Sequence, residues 1–303
     1  MLGSLSDSDI KLLRVFYVIA QCGGFTAAQA QLNLSQSAIS TRMAQLEARL
    51  GCRLCERGRG TFKLTSEGSA VILASRKLFG ALEDFRTEIA EAQGSVTGEL
   101  RLGLIDNSIT HEDDRIRHAI AAFAATAPNA RLSIVIAGAV ELEQQVLDNR
   151  LHLAIGLFHH RLESLDYTAL FNEEHMLFCA RPHPFFDMPD AEIRPERMRE
   201  ARYVSWGYGE GLPGWQPPYA FKEVASSSYI EGVAYLILSG AYIGYLPSHY
   251  ARFWVAEGRI RPILAKETWR SVAFSLVRRQ SPRITRLVRI FLDSLGVATG
   301  PAP

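Results

Sequence analysis

Hydrophobic positions near the start of the chain recur at the spacing of an α-helix. From Phe25 to Gly51 they predict a short helix, a turn at Asn33 and a second helix. The apolar residues of the second helix follow one another at spacings of four, three and four, and they are Ile39, Met43, Leu46 and Leu50. Its opposite side bears hydroxyls, amides and one Arg in place of the usual mixture of Glu and Lys. Such groups suit contacts with DNA bases and phosphates, whereas the alternative is a plain helical hairpin within a core.

The segments on either side of this helical pair extend the pattern. An earlier helix is predicted over 8–21, and Ser35 and Gly51 are residues typical of a helix start and a helix end. Within 52–65, two short extended runs flank a turn rich in Gly and Arg, which predicts a small hairpin with a basic tip. A helix-turn-helix followed by such a hairpin is a winged helix-turn-helix, whose wing can contact the DNA backbone or the minor groove.

A long helical pattern follows over 66–93. Its apolar residues form a stripe close to a heptad repeat, and they are Val71, Ala74, Leu78, Leu82, Phe85 and Ile89. The other residues of this helix are largely small or polar, so nothing within it covers the stripe. We expect the same helix of another subunit to cover it, and packing on the rest of the same chain is the alternative. Gly94, Ser95 and Gly98 then mark a linker.

Strand-length and helix-length apolar segments alternate in the chain beyond residue 98. This alternation predicts an α/β domain with largely parallel strands. The predicted strands are 100–104, 132–137, 151–157, 174–181, 202–206, a short one ending at Pro247, and 269–279; the predicted helices lie around Ile116–Phe123, over 141–149, before Gly240 and over 284–295. The expected fold class is therefore α/β, with an N-terminal winged helix-turn-helix in which α-helices dominate.

Composition adds one useful asymmetry to this picture. The chain has 303 residues, 48% of them hydrophobic, which suffices for two or more domains with cores of their own. Residues 1–65 contain eight Lys or Arg and four Asp or Glu, which gives a net charge of +4. The remainder of the chain contains 25 Lys or Arg and 28 Asp or Glu, which gives a net charge of −3. A basic N-terminal part on a mildly acidic remainder fits a phosphate-binding module joined to a domain that does not bind nucleic acid.

The sequence shows no segment that targets the chain to a membrane or out of the cell. Its longest apolar stretches are strand-length or amphipathic, and acidic residues near the N-terminus do not fit the basic start of a signal peptide. We therefore expect a cytoplasmic protein that does not interact with membranes.

The Cys and His residues form no pattern typical of catalysis or of metal binding. Cys52 and Cys55 form a lone C-x-x-C, with no second pair and no His at zinc-finger spacing. His159 and His160 follow a predicted strand, where adjacent side chains point to opposite faces, which disfavours a shared metal. Neither a nucleophile elbow nor a phosphate-binding glycine loop occurs. We therefore expect no catalytic residue, no metal and no cofactor, and the alternative is an enzyme or a solute-binding protein with no role on DNA.

Several short motifs follow one another in an order that is typical of one protein family. Over 7–68 they are Leu12-Leu13-Arg14-Val15-Phe16, Gly24-Phe25-Thr26-Ala27-Ala28, Leu34-Ser35-Gln36-Ser37-Ala38-Ile39-Ser40, Leu46-Glu47, Leu50-Gly51, Arg57 and Leu64-Thr65-Ser66-Glu67-Gly68. In order and spacing they resemble the DNA-binding motif of the LysR-type transcriptional regulators. His183-Pro184 and the run from Gly240 to Pro247 look like landmarks of the sensor domain of that family. Cys55 departs from the pattern, because the family usually has Phe there.

The resemblance implies a bacterial transcriptional regulator with three parts. These are a winged helix-turn-helix domain over 1–65 with its helix-turn-helix at 25–44, a linker and dimerisation helix over 66–93, and an effector-binding regulatory domain over 94–303. The regulatory domain is expected to resemble periplasmic binding proteins, with lobe I at about 99–165 and 269–296, lobe II at about 166–268, and a small-molecule effector between them. The resemblance also implies a homodimer or homotetramer, and RNA polymerase is a candidate partner.

The residues expected to contact double-stranded DNA lie in the helix-turn-helix and in or near the wing. Two copies in a dimer are expected to bind a promoter site with two-fold symmetry, with half-sites about one helical turn apart or a multiple of it. Gln can recognise adenine, and Ser and Thr discriminate less. The expected contacts with base edges are Gln36, Ser37, Ser40, Thr41 and Gln45, and the expected contacts with the phosphate backbone are Thr26, Ser35, Arg42, Arg53, Arg57 and Arg59.

The residues expected to contact the effector follow the strands of the α/β domain. Ligands of open α/β sheets bind at the carboxyl ends of strands, and hydroxyls beside free helix N–H groups suit an anion. The candidates are Asn107, Ser108, Ile109, Thr110, Gly138, Ser205, Trp206, Tyr208 and Ser227. A capping role for the hydroxyls and a core role for Trp206 and Tyr208 are the alternatives. These residue types lead us to expect a carboxylate or an aromatic metabolite.

Overall fold

The computed structural model of the protein describes residues 4–56, 62–159, 161–207, 215, 217–280 and 284–298. The chain divides into two compact units, called here the N-terminal unit (residues 1–85) and the C-terminal unit (residues 86–303). Each unit has a hydrophobic core of its own.

The N-terminal unit is a winged helix-turn-helix followed by a long helix. Its elements are α1 (Asp7–Gln21), α2 (Phe25–Leu32), α3 (Gln36–Leu50), β1 (Cys55–Glu56), β2 (Lys63–Leu64) and α4 (Ser66–Ala92), the last of which continues into the C-terminal unit. β1 and β2 pair antiparallel, with Cys55 opposite Leu64, so the predicted hairpin is confirmed. Its tip at residues 57–61 lies outside the described residues.

Two polar residues shape the turn between α2 and α3. Asn33 adopts a left-handed backbone with a φ of 50°, which Asn tolerates better than most residues. Ser35 is the N-cap of α3, and its Oγ accepts a hydrogen bond from the Ala38 N–H at 3.3 Å. Ile39 and Met43 are fully buried in the core, so the opposite side of α3 faces solvent.

The start of α4 lies directly against the backbone that enters the wing. A Cβ on Gly68 would lie 1.9 Å from the Leu54 carbonyl oxygen, so no side chain fits there without a backbone shift. Thr65 holds the same junction, because its Oγ1 accepts from the Gly68 N–H at 2.9 Å and donates to the Arg53 carbonyl at 2.7 Å. These contacts give a physical reason for the presence of both Thr65 and Gly68 in the motif.

Helix α4 confirms the predicted long helix, and its apolar stripe is only partly covered. Ile72 is buried in the core of the N-terminal unit, and Val71 and Leu78 pack against that core while remaining partly exposed. Farther along the helix, Phe85 is 60% exposed and Ile89 is 45% exposed. The described residues of the chain therefore leave the C-terminal half of the stripe accessible.

The C-terminal unit is an α/β domain with short 3-10 turns at Ser108–Thr110 and Asp190–Glu192. Its elements are β3 (Gly98–Leu104), α5 (Arg115–Thr126), β4 (Ala130–Ile136), α6 (Ala139–Leu147), β5 (Leu153–Leu157), β6 (Leu165–Ala180), α7 (Pro195–Glu200), β7 (Arg202–Trp206), β8 (Lys222–Ser227), α8 (Ile230–Leu238), β9 (Ile243–Pro247), α9 (Ser248–Ala256), β10 (Ile260–Pro262), α10 (Ala265–Thr268), β11 (Arg270–Arg279) and α11 (Arg286–Ser294).

The described strands of this unit form one mixed sheet in the order β4-β3-β5-β11-β6-β9-β7-β8, with β10 also paired to β6. β3 is parallel to β4 and β5, and β7 is parallel to β8 and β9. β6 and β11, however, pair antiparallel with all their neighbours, so the expectation of largely parallel strands is only partly right. β6 begins at Leu165, well before the predicted start at 174, because polar residues interrupt the apolar pattern of its first half.

Strand β6 connects the two halves of the sheet. Along residues 165–175 it pairs with β11, which in turn pairs with β5. Along 175–178 it pairs with β9, which belongs to the second parallel group. The change between the two groups of strands thus falls within β6. Two polar side chains of β6, Glu173 and His175, lie at this point and are hydrogen-bonded to each other.

Candidate functional site

The exposed side of α3 bears the polar residues that the sequence assigns to DNA. Their side chains point away from the core formed by Ile39, Met43 and Leu46. Gln36, Ser37, Thr41, Arg42 and Gln45 are exposed and Ser40 is half-buried.

Part of the hydrogen-bonding capacity on this side is used within the helix. The Ser35 Oγ caps the helix and lies 3.0 Å from the Ser37 Oγ, and the Thr41 Oγ1 donates to the Ser37 carbonyl at 2.9 Å. The predicted capping role of Ser35 is therefore confirmed, while its contact with DNA stays a prediction. Gln36 and Gln45 present exposed amides, which can donate and accept at once.

The other residues assigned to DNA lie at the edges of this surface. Thr26 in the first turn of α2 and Arg53 before β1 are both exposed. The Glu47 Oε1 on α3 accepts from the Leu54 N–H at 2.9 Å, which ties the wing to α3. Arg57 and Arg59 fall in the wing tip, outside the described residues, and their contacts with phosphates stay predictions.

One basic residue of α3 has a structural role. Arg49 donates to Asp9 through Nε at 2.8 Å and through Nη2 at 2.7 Å, and thereby joins α3 to α1. These hydrogen bonds hold the pKa of the Asp9 carboxyl well below its usual value and raise the pKa of Arg49. Asp9 also completes a capping box with Ser6 at the start of α1.

In the C-terminal unit, the loop after β3 approaches helices α8 and α9. The Asp106 Oδ2 accepts a hydrogen bond from the Ile230 N–H at 2.7 Å, at the first residue of α8. Burial raises the pKa of Asp106, and the hydrogen bond from Ile230 opposes this shift. The Thr110 Oγ1 lies 2.7 Å from the His249 Nδ1 on α9. The loop that the sequence assigned to the effector thus contacts α8 and α9, the helices before and after β9.

The loop is connected through His249 to a carboxylate that is buried between two His side chains. Glu173 on β6 is 1% exposed, and its two oxygens lie 2.6 Å from the His175 Nε2 and 2.8 Å from the His249 Nε2. Burial alone would raise the pKa of Glu173, but the charge and the hydrogen bonds of the two His residues outweigh it and lower the pKa to about 2. Thr110, His249, Glu173 and His175 therefore form one hydrogen-bonded chain, called here the Glu173 cluster.

The sequence did not assign any of the three charged or titratable members of the Glu173 cluster to a site. One signal was available: Glu173 and His175 are two residues apart, and side chains at that spacing lie on the same face of a strand. His249 follows 76 positions after Glu173, and no local pattern connects residues so far apart. Among the described residues, no group of three or more His, Cys, Asp and Glu side chains is placed to hold a metal ion, and no helix is long and apolar enough to cross a membrane.

The remaining residues assigned to the effector are placed in different ways. Trp206 is buried, and its ring stacks on that of His175 at a centroid distance of 6.0 Å, so it lies beside the Glu173 cluster. Two hydroxyls form hydrogen bonds within the protein: the Ser108 Oγ donates to the Ile105 carbonyl, and the Ser227 Oγ donates to the Tyr229 carbonyl. Ser205 is buried, Ile109 is exposed, Gly138 is the N-cap of α6, and Asn107 has a left-handed backbone. Tyr208 lies outside the described residues. Their contacts with an effector stay predictions.

Comparison with protein families assigns both units. Residues 10–69 match the family described as "Bacterial regulatory helix-turn-helix protein, lysR family", and residues 93–298 match "LysR substrate binding domain". The chain is 40% identical over 297 residues to the HTH-type transcriptional activator BauR of Pseudomonas aeruginosa, covering 98% of this chain and 97% of BauR. It is 31% identical over 180 residues to the SDS degradation transcriptional activation protein of a Pseudomonas species, covering 58% of each chain.

Solved structures support the same fold. The chain is similar to CbnR, a LysR family transcriptional regulator, with a TM-score of 0.65 at 19% identity, covering 95% of this chain and 98% of CbnR. Full-length CbnR in complex with its target DNA gives a TM-score of 0.64 at 20% identity, with the same coverage. Regulators of this family bind DNA, form oligomers and bind small-molecule effectors. The chain belongs to the LysR family, as a DNA-binding transcriptional regulator with a winged helix-turn-helix and a two-lobed α/β substrate-binding effector domain.

Proposed function

We propose that this regulator binds promoter sites with two-fold symmetry through α3 and responds to a small molecule held near the Glu173 cluster. The proposed binding of DNA rests on the exposed polar side of α3. Gln36, Arg42 and Gln45 face solvent there, and the opposite side of the helix is buried through Ile39 and Met43. A helix of this kind fits the major groove, where Gln can form paired hydrogen bonds with adenine and Arg can neutralise phosphates.

Substitution of Gln36 tests this assignment. Gln36→Ala removes the exposed amide without touching the core, so the fold is expected to be unchanged. A bidentate contact with a base contributes about 1–3 kcal/mol of discrimination. We therefore expect binding to the promoter site to weaken roughly 10-fold or more, and binding to random DNA to change little. Footprinting and titration of both DNAs at one salt concentration measure the difference.

The matched control is Gln21→Ala, because Gln21 is an exposed Gln at the end of α1, and its amide donates to the Tyr17 hydroxyl of the same helix. It is expected to leave both affinities unchanged. If Gln36→Ala weakens promoter and random DNA equally, Gln36 does not contribute specificity. The footprint is placed on the DNA upstream of the protein's own gene and adjacent genes.

The uncovered stripe of α4 supports an oligomer built on that helix. Phe85 and Ile89 are exposed apolar side chains in the single chain, and Val71, Ala74 and Leu78 line an apolar cavity of about 250 Å³ in the N-terminal unit. A second copy of α4 would bury both sets. We propose a homodimer or a homotetramer on this basis, with RNA polymerase as a further partner of the DNA-bound form.

The effector is proposed to act by favouring one arrangement of the subunits over another. It can do so only by the difference in its affinity for the two arrangements. The classes expected from the sequence, a carboxylate or an aromatic metabolite, both belong in an effector screen. We propose no enzymatic activity, because the cluster lies in a domain that belongs to a family of regulators. Since its target is DNA, we propose that the protein acts in the bacterial cytoplasm.

A further inference from the structure

We propose that the effector of this protein carries a protonated amine, and that Asp106 and Asn107 bind it. The inference rests on the proposed function, because it concerns the effector site of the C-terminal unit. It differs from the sequence-based expectation in the charge of the group that is recognised: a cation at the loop after β3 in place of an anion.

The protein's own carboxylate occupies the place where an anion would be expected to bind. The first N–H groups of a helix attract anions, and Ile230 supplies the first such group of the nine-residue helix α8. That N–H donates to the Asp106 Oδ2 at 2.7 Å. An effector carboxylate at this helix end would have to displace Asp106 or lie beside a like charge. A cation, in contrast, is attracted by the carboxylate as it stands.

Asn107 adds a second hydrogen-bond acceptor beside Asp106. The Asn107 side chain acts on the Asp106 carboxyl in the direction that lowers its pKa, against the larger effect of burial. Its Oδ1 is buried and has no hydrogen-bond partner among the described residues. The hydroxyl groups nearby are already used: Thr110 donates to the Asn107 carbonyl at 3.2 Å, and Ser108 donates to the Ile105 carbonyl at 3.2 Å. An ammonium group has three N–H donors and could satisfy both acceptors at once.

Other buried polar atoms without partners lie in or beside the Glu173 cluster. Most buried polar atoms in folded proteins form hydrogen bonds, so a group of exceptions requires an explanation. In the described part of the chain, the His175 Nδ1, the Tyr245 hydroxyl and the Ser248 Oγ are also buried without a partner, and His175 and Tyr245 are 0% and 1% exposed. His175 belongs to the Glu173 cluster, Ser248 precedes its member His249, and the Trp215 ring contacts both His175 and Tyr245 at centroid distances of 5.1 Å and 4.9 Å.

The hydrogen-bond acceptors and aromatic rings of this region suit the binding of an organic cation. Asp106 and the Asn107 Oδ1 can only accept hydrogen bonds, the Ser248 hydroxyl can accept one, and aromatic rings bind cations through their faces. We therefore expect the amine to lie against Asp106 and Asn107, with the apolar part of the effector towards Trp206.

Thermal unfolding with matched small molecules tests the proposal. The probes are n-butylamine and benzylamine, compared with n-butanol and benzyl alcohol and with butyrate and benzoate. All four Trp residues of the protein lie in the C-terminal unit, so Trp fluorescence follows the unfolding of that unit. A ligand that binds the folded state raises the midpoint, and the rise at a given concentration is larger for a tighter ligand. We expect apparent dissociation constants for the amines that are at least about tenfold lower than those for the matched alcohols and carboxylates.

Three variants of the full-length protein assign the effect to Asp106. Asp106→Asn is expected to remove the preference for amines, and Asp106→Glu to retain part of it. Glu112→Gln is the control, because Glu112 is an exposed carboxylate that pairs with Arg252, and it should leave the preference unchanged. If Asp106→Asn does not fold, the proposal is tested by comparing the amines with the matched alcohols and carboxylates on the unmodified protein.

The proposal is overturned if carboxylates bind as tightly as the amines, if no amine shifts the midpoint at concentrations up to about 50 mM, or if the preference persists in Asp106→Asn. The same preparations are tested for DNA binding. Intact DNA binding without a preference for amines contradicts only this inference, whereas absence of DNA binding contradicts the proposed function.

Discussion

The two units place their functional residues in opposite environments. In the N-terminal unit, the residues assigned to DNA on α2 and α3 lie within 26–45 and are mostly exposed. In the C-terminal unit, the Glu173 cluster and the Asp106 contact draw on residues between 106 and 249, and most of their polar atoms are buried. Exposed polar atoms are hydrogen-bonded by water at no cost to the fold, whereas buried ones must find partners within the protein.

This difference predicts where function and stability separate. A substitution on the exposed side of α3 should change DNA binding and leave the free energy of unfolding almost unchanged. A substitution in the Glu173 cluster should change both the stability of the C-terminal unit and its response to the effector. The five predictions below test this separation.

The largest effect is expected for Glu173→Leu. The substitution removes the carboxylate and leaves His175 and His249 buried without their shared partner. Breaking a buried ion pair by removing one member typically costs about 3–5 kcal/mol. Urea unfolding followed by Trp fluorescence should therefore show a loss of that size in the C-terminal unit. Glu174→Gln, which changes the exposed neighbouring carboxylate, should cost less than about 0.5 kcal/mol.

The same cluster predicts a dependence on acid. A carboxyl group whose pKa is lower in the folded state stabilises the fold above its unfolded pKa, and this contribution disappears as the pH falls through the folded pKa. For Glu173 the window extends from the ordinary value of 4.5 down to about 2. The unfolding free energy of the unmodified protein should fall across this window more steeply than that of Glu173→Leu. Parallel curves would show that folding does not lower the pKa of Glu173.

A smaller loss is expected for Gly68→Ala in the N-terminal unit. The added Cβ would lie 1.9 Å from the Leu54 carbonyl oxygen, so α4 and the wing must move apart. Overpacking of this kind costs about 1–3 kcal/mol. The loss should appear in the helical circular dichroism signal at temperatures where Trp fluorescence is unchanged, because the Trp residues lie in the other unit. Ser69→Ala, at the neighbouring exposed position, is the control, and an equal effect there would refute the argument from close approach.

The sequence predicted the elements of the N-terminal unit far better than the contacts within the C-terminal unit, and the reason is the distance along the chain between contacting residues. Helical spacing and the Ser35 cap are local signals, so they located α3 and its exposed side correctly. The contact of Asp106 with Ile230 spans 124 positions, and no local pattern indicates it. The sequence assigned the hydroxyls of Ser108 and Thr110 in the loop after β3 to a ligand. In the structure both donate hydrogen bonds within the protein, and their contacts with an effector stay predictions.

The oligomer offers an intermediate case, because its surface is exposed in one chain and proposed to be buried in two. Phe85→Lys places a charge in the middle of the uncovered stripe, and burial of a Phe side chain contributes about 1.5–3 kcal/mol. The dissociation constant of the dimer should rise at least about tenfold, as measured by sedimentation equilibrium. Leu73→Lys is the matched control, because Leu73 is 40% exposed on another side of the same helix. Equal weakening by both variants would exclude the stripe as the contact.

The smallest effect is expected for Arg42→Ala, and it concerns the salt dependence of DNA binding. Arg42 is exposed on α3 and is assigned to a phosphate, so its loss should weaken binding to promoter and random DNA alike. Each phosphate contact contributes about 0.9 to the slope of log affinity against log salt, and the slope should fall by about that amount per subunit. Lys11→Ala removes an equal charge from α1, where Lys11 pairs with Asp7, and should leave the slope unchanged. If both variants lower the slope equally, the positive charge of the whole unit, rather than the exposed side of α3, determines its affinity for DNA.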